Sequence, residues 1–163
     1  MKKVLLLMAI VLFTATSGHA QAAKSVFLEL GGPGLASINF DTRFTNKQDG
    51  IGARVGIGGF SFNYNLGTSG RSSVVFIPLG LNYLLGKNTA NFFELGAGYT
   101  QVITSNRTSS GSENFRSSFG HLNFGYRYQP KESGVTFRVA INPVFGNFGF
   151  IPTYGGVSVG YKF

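Results

Sequence analysis

The residues that could carry chemistry are few. His121 has Ser117 and Ser118 shortly before it and Glu132 after it. An imidazole with a hydroxyl and a carboxylate is the equipment of nucleophilic hydrolysis. The other histidine, His19, lies near the N-terminus, and cysteine is absent. No His/Cys spacing suits a metal, so a lone imidazole is expected to be a hydrogen-bonded interior residue, with no metal site and no cofactor. A larger set comprises Glu29, Asp41 and Glu94 against Arg43, Arg54, Arg127, Arg138 and Lys162. These could form a paired interior network, a gated polar path or, given the surplus of arginine, a site for a small anion. Gly31-Gly32-Pro33-Gly34 and Gly56-Ile57-Gly58-Gly59 have the composition of phosphate-cradling loops, but neither leads into a helical pattern, which that chemistry requires.

The elements that must position these residues are strands. Apolar side chains fall on alternate positions from Ser25 to the end, and no stretch there repeats at 3.6 residues. Eight strands are predicted, over 25–31, 35–45, 51–59, 74–85, 92–103, 117–128, 135–145 and 155–163. In the second, Ala36, Ile38, Phe40, Thr42 and Phe44 share one face, opposite Ser37, Asn39, Asp41 and Arg43. The fifth sets Phe93, Leu95, Ala97 and Tyr99 against Glu94, Gly96, Gly98 and Thr100; the sixth sets Leu122, Phe124, Tyr126 and Tyr128 against His121, Asn123, Gly125 and Arg127. The seventh does the same with Val135, Phe137, Val139 and Ile141 against Thr136, Arg138, Ala140 and Asn142. Every member of the charged set except Lys162 falls on the polar face of a predicted strand or beside one, and Lys162 closes the polar face of the last.

Composition narrows the class. Charged residues are 12% of the chain, about half the usual share for a soluble domain, while glycine (24 residues) and aromatics (15%) are abundant. Met1-Lys2-Lys3, the apolar run Val4 to Phe13 and the small residues up to Ala22 form a secretory signal peptide over 1–22, with cleavage favoured after Ala22 and Ala20 as the alternative. The apolar run is too short to span a membrane as a helix. Net charge is +8, of which Lys2 and Lys3 leave with the signal. Export and the lack of a basic cluster argue against nucleic acid; the arginines fit internal pairing or anionic lipid headgroups.

The predicted domain, 23–163, is a closed, all-β, eight-stranded antiparallel up-and-down barrel in the outer membrane. An even strand count puts both termini at one end; tight turns at 46–50, 86–90 and 129–134 alternate with longer loops at 60–73, 104–116 and 146–154. A lipocalin-like soluble barrel would carry Lys, Glu and Asp on its wet face. Here the polar face is mainly Gly, Ser, Asn and Thr, small enough for a narrow lumen, and Tyr83, Tyr99, Tyr126, Tyr128, Tyr161 and Phe163 lie near strand ends like an interfacial girdle. Pro78 and Pro143 interrupt strands and predict local bulges, or else a lateral opening. Asn147 to Tyr154 is an unusually apolar loop.

Two stretches carry a resemblance. Phe27-Leu28-Glu29-Leu30-Gly31-Gly32-Pro33-Gly34 with Ala36 to Phe44, and Phe124-Gly125-Tyr126-Arg127-Tyr128-Gln129-Pro130 with Val157 to Phe163, resemble small outer-membrane β-barrel proteins of the Bacteroidota, of the eight-stranded OmpA/OmpX-like kind. The resemblance implies fold and location and no catalytic residue. Val157, Val159, Tyr161 and Phe163 also resemble the signal read by the barrel-assembly machinery. Outer-membrane lipid A deacylases use His with nearby Ser and Glu, but His121-Leu122-Asn123 lacks a serine two positions on, so no catalytic residue is expected. The function expected is structural or surface-interacting, with Glu29, Asp41, Arg43, Arg54, Glu94, Arg127, Arg138 and Lys162 as a lumen ion-pair network. A small-solute channel or ligand-binding barrel and, behind it, a lipid-modifying enzyme are the alternatives. Expected partners are outer-membrane lipid, including lipopolysaccharide, and the assembly machinery; the protein is expected to be a monomer.

Overall fold

A computed structural model describes residues 22–66, 68–86, 90–108 and 111–163. The signal peptide expected over 1–22 lies, except for Ala22, outside the described residues. The strands are β1 (Lys24–Gly31), β2 (Ala36–Arg43), β3 (Gly50–Leu66), β4 (Thr68–Leu85), β5 (Asn91–Thr108), β6 (Gly111–Tyr128), β7 (Gly134–Ile141), β8 (Val144–Gly146), β9 (Gly149–Ile151) and β10 (Gly155–Lys162). Each pairs antiparallel with its neighbours, and β1 closes the ring on β10, Ser25 opposite Lys162 and Leu30 opposite Val157. β8 continues β7, pairing with β6 in unbroken register, Phe124 opposite Ile141 and His121 opposite Val144. β9 continues β10 with its register on the β7–β8 stave shifted by one residue, so the ten segments make eight staves of a closed antiparallel barrel.

The two prolines interrupt the ladder differently. At Pro143 the residues between β7 and β8 number two (142–143), while those between β9 and β10 number three (152–154). The extra residue is a bulge, held by the Asn142 N–H donating to the Tyr154 carbonyl at 2.6 Å. At Pro78 the register between β3 and β4 does not shift. The ladder skips Gly56 and Ile57 opposite Ile77 and Pro78, then resumes at Gly58 and Phe76, so the missing N–H removes a rung without adding a residue.

Among the described residues, the loops expected at 60–73 and 104–116 are strand. β3 to β6 run 17 or 18 residues each, whereas β1, β2, β7 and β10 run eight. The sequence hides this because the alternation changes phase. Going up the wall, the outward rows are Val55, Leu79 and Tyr99, then Val75, Ile103 and Arg116, then Ser61, Ser73, Ser105 and Asn114. The inward rows change the other way, from Arg54, Gly80, Gly98 and His121 to Phe60, Val74, Thr104 and Phe115. A search for apolar residues at constant parity stops where the parity inverts. Leu85 to Val75 is about 33 Å of strand, which at a tilt of about 40° gives an apolar belt about 25 Å tall, the height of the lipid-facing band of a membrane barrel. Above it β3 to β6 continue as a four-stranded blade, β3 and β6 forming its two side edges.

Candidate functional site: the packed lumen and the projecting blade

Because a strand sends alternate side chains to opposite faces, the polar parity of each stave converges on the barrel axis. Arg43, Asp41, Glu94 and Arg127 are 3% exposed or less, and Glu29, Arg54 and Arg138 are buried beside them. Asp41 is the centre. Its Oδ1 accepts from Arg43 Nη2 at 2.6 Å and Arg127 Nη1 at 3.1 Å; its Oδ2 accepts from Arg127 Nη2 and Arg138 Nη2, each at 3.2 Å. Glu94 Oε2 receives Arg127 Nε at 2.7 Å and lies 3.5 Å from Arg138 Nε. Asn82 joins the two carboxylates, its Nδ2 reaching Asp41 Oδ2 at 2.5 Å and Glu94 Oε1 at 3.0 Å, while its Oδ1 accepts from Arg43 Nη2 at 2.5 Å.

A second cluster lies nearer the blade. Arg54 pairs with Glu29 and donates from Nε to Asn39 Oδ1 at 3.0 Å; Asn39 Nδ2 donates to Ser37 Oγ at 2.9 Å, and Ser37 reaches back to Glu29. Phe27 lies between the clusters, with Arg138 3.9 Å and Arg54 5.2 Å from its ring centre. Together the clusters set three carboxylates against four guanidiniums. Lys162 is placed apart, at the end that holds the termini, where Nζ donates to the carbonyls of Pro130 and Lys131, both at 2.7 Å.

Both ends of the lumen are covered. At the blade end the turn Gly32–Gly34 is buried and packs against β3, β4 and β10. Gly31 and Gly32 take φ of 74° and 63°, which glycine adopts without strain. Leu35, at φ 60° and ψ −77°, has the rare γ-turn conformation, its N–H donating to the Gly32 carbonyl at 3.1 Å. Gly58 lets the turn sit this low, since a Cβ there would collide with the Gly34 carbonyl oxygen and lie 2.5 Å from that of Ala36. At the other end Gln129, 1% exposed, accepts from Arg127 Nη1 at 3.2 Å, and Gln48 donates to the Lys131 carbonyl, tying the turns 44–49 and 129–133 across the opening.

His121 is buried in the wall, its Nδ1 3.3 Å from Thr100 Oγ1 and its ring edge-on to Phe119. The candidate hydrolase set is not brought together. Ser118 has outward parity, and Glu132 lies in the β6–β7 turn beyond Tyr128, a residue about 23 Å along the strand from His121. Val157, Val159, Tyr161 and Phe163 lie on the outer surface of the closing stave, half exposed, with the Phe163 N–H donating to the Lys24 carbonyl at 3.0 Å.

Sequence reasoning missed two groups. Asn39, Asn82, Thr100 and Gln129 are buried connectors; their parity gave them away, but uncharged polar residues drew no attention. Phe60, Phe62 and Phe115, exposed by 47, 50 and 67%, lie on the inner face of the blade above the covered mouth. Phe60 stacks on Phe62 and on Phe76, and Phe148 of the β8–β9 hairpin meets Phe119 edge-on. The signal that finds them is the inversion of parity above Val75.

No protein-family model matches the chain, and no curated protein matches its sequence. Its fold is similar to that of the N-terminal β-barrel domain of Pseudomonas aeruginosa OprF, with TM-score 0.57 and 15% identity over 90% of this chain and all of that one. It is also similar to Neisserial surface protein A, with TM-score 0.53 and 12% identity over 86% of this chain and 94% of that one. The chain therefore has the fold of eight-stranded outer-membrane barrels.

Proposed function

We propose that this chain is an integral outer-membrane barrel, exported behind its N-terminal signal, whose lumen is a structural core and whose working surface is the blade. It is a surface-interaction or structural protein, neither an enzyme nor a channel. The observation that carries this reading is the contrast between a lumen closed at both ends, with every ionised group in it paired, and a blade that presents Phe60, Phe62 and Phe115 to the outside. Exposed aromatic surface beyond the membrane belt is unfavourable unless it binds something. A solute path would need to break the Asp41 and Glu94 pairs, and a hydrolase would need a carboxylate beside His121; no carboxylate hydrogen-bonds that imidazole among the described residues. Membership in the Bacteroidota family that the two stretches resemble belongs to the same reading. So does recognition of Val157, Val159, Tyr161 and Phe163 by the assembly machinery.

The test pairs two readouts on protein purified from membranes and on the cells that carry it. In planar bilayers the wild type is expected to give no discrete conductance steps. Cells carrying it are expected to partition into hexadecane more than cells carrying Phe60→Ser/Phe62→Ser/Phe115→Ser at equal, heat-modifiable expression. Conductance that responds to Arg54→Gln or Glu94→Gln would replace this reading with a channel. A lipid A mass spectrum altered by the wild type but not by His121→Ala would replace it with an enzyme.

A further inference from the structure

The six carboxylates of the chain are all accounted for: Glu29, Asp41 and Glu94 in the lumen, Asp49 and Glu132 in turns at the end that holds the termini, and Glu113 on the inner face of the blade, opposite Asn106. The outer face of the blade therefore carries no acid. It carries Arg71 and Arg107, with Arg116 at its foot, all exposed. Arg71 and Arg107 are direct cross-strand partners between β4 and β5. Side chains so placed start about 5 Å apart, and like charges there repel unless something sits between them. Arg71 Nη2 donates to a neutral neighbour, Ser61 Oγ, at 3.1 Å. Arg116 is opposite Ile103, four positions below Arg107, or about 13 Å along the strand. It thus stands in the last row of the apolar belt, with Val75 and Ile103, while the arginine pair stands about one headgroup layer higher. Between the two levels the row is Ser61, Ser73, Ser105 and Asn114, all hydrogen-bonding side chains.

We propose that this wall of arginine and serine binds the anionic phosphate groups of outer-leaflet lipid headgroups, with Arg71 and Arg107 clamping one phosphate between them and Arg116 holding a lower one. Guanidinium presents paired N–H donors that match phosphate oxygens, and an anion between the two arginines turns their repulsion into attraction. The ligand is a lipid because the wall is flat and exposed and continues the apolar belt upward. A free ion meets little there to enclose it, whereas a headgroup is held at that height by its own acyl chains at high effective concentration. The inference does not depend on what the inner face of the blade binds.

The experiment uses the purified protein reconstituted in phosphatidylcholine bilayers containing spin-labelled phosphatidic acid or, separately, spin-labelled phosphatidylcholine, and reads the fraction of label immobilised at the protein. The wild type is expected to hold phosphatidic acid over phosphatidylcholine, at each arginine site by about fivefold. The preference should fall with added salt and be lost in Arg71→Gln/Arg107→Gln/Arg116→Gln. Replacement of all three by lysine keeps the charge without the fork and is expected to retain part of it. Heat modifiability of each variant shows whether the barrel is intact, and Lys47→Gln/Lys131→Gln, at the opposite end, controls for general charge. Equal preference in wild type and glutamine variant would overturn the proposal. So would inorganic phosphate whose 31P resonance broadens on the wild type but not the variant in the absence of any lipid preference, which would assign the arginines to a free anion.

Discussion

The same four strands do opposite things on the two sides of one row. Below Val75 and Ile103 all the charges of these strands point inward (Arg54, Glu94 and Arg127, with buried Leu84, Phe92 and Phe76 among them) and most outward side chains are apolar; above it the inward side chains include Phe60, Phe62, Val74 and Phe115 and the outward ones Ser61, Ser73 and Ser105. Backbone pairing passes through the change without a register shift, so hydrogen bonding does not set the polarity of a face. What lies beside the face does. In the lower half a low-dielectric surround makes each inward charge find a partner, which is why Asp41 gathers three arginines. In the blade the outer face is serine, asparagine and arginine, suited to water and headgroups rather than acyl chains, and the aromatic rings turn inward.

The comparison can be broken most severely at its polar centre. Asp41→Asn leaves Arg43, Arg127 and Arg138 facing Glu94 alone, and the barrel should lose about 3–5 kcal/mol in urea unfolding followed by the heat-modified gel shift. A loss no larger than that of a surface substitution would mean the lumen is not a stabilising core. Next in size is one charge placed on either side of the inversion. Leu79→Arg, inside the belt, should cost about 2–4 kcal/mol, whereas Ser73→Arg, two rows above Ile77, should be neutral; equal costs would move the membrane boundary. Gly98→Ala is expected to cost about 1–3 kcal/mol, because its Cβ would sit 2.5 Å from His121 Nε2 and also meet the Leu79 carbonyl. His121→Ala should relieve only part of that loss. Smallest is Phe62→Ser, half exposed on the blade, which should leave unfolding within about 0.5 kcal/mol while lowering partition of cells into hexadecane.

Much of the lower half was legible in residue order. Period-two alternation with glycine and serine on one parity and leucine and valine on the other admits few folds, and the parity of Asp41, Glu94, Arg127 and Arg138 places them inside. Which carboxylate meets which arginine was not legible, because Asp41 and Arg138 are brought together by barrel closure rather than by spacing. The upper half was misjudged for a different reason. Residues 60–66 alternate as regularly as the rest but with the parity inverted, and 67–73 and 104–114 hold no apolar side chain, so a rule that expects one parity to stay apolar takes Ser61, Ser73 and Ser105 for the end of a strand. The bulge opposite Pro143 was foreseeable from proline alone; that Pro78 removes a rung without a bulge follows from the register of β3 on β4.

The inversion itself is open to a direct measurement, because the chain contains no cysteine and each introduced thiol is unique. Single cysteines at Ser61, Ser73 and Ser105 (outward, above the boundary), at Leu79 and Leu81 (outward, below it) and at Phe60 (inward, above it) would be reacted in intact cells with a membrane-impermeant maleimide. The expected result is rapid labelling at 61, 73, 105 and 60, with none at 79 and 81 until detergent dissolves the membrane. Protection of the three outward blade positions in intact cells as complete as at 79 and 81, with labelling only on solubilisation, would put acyl chains rather than headgroups and water against the blade and contradict the account.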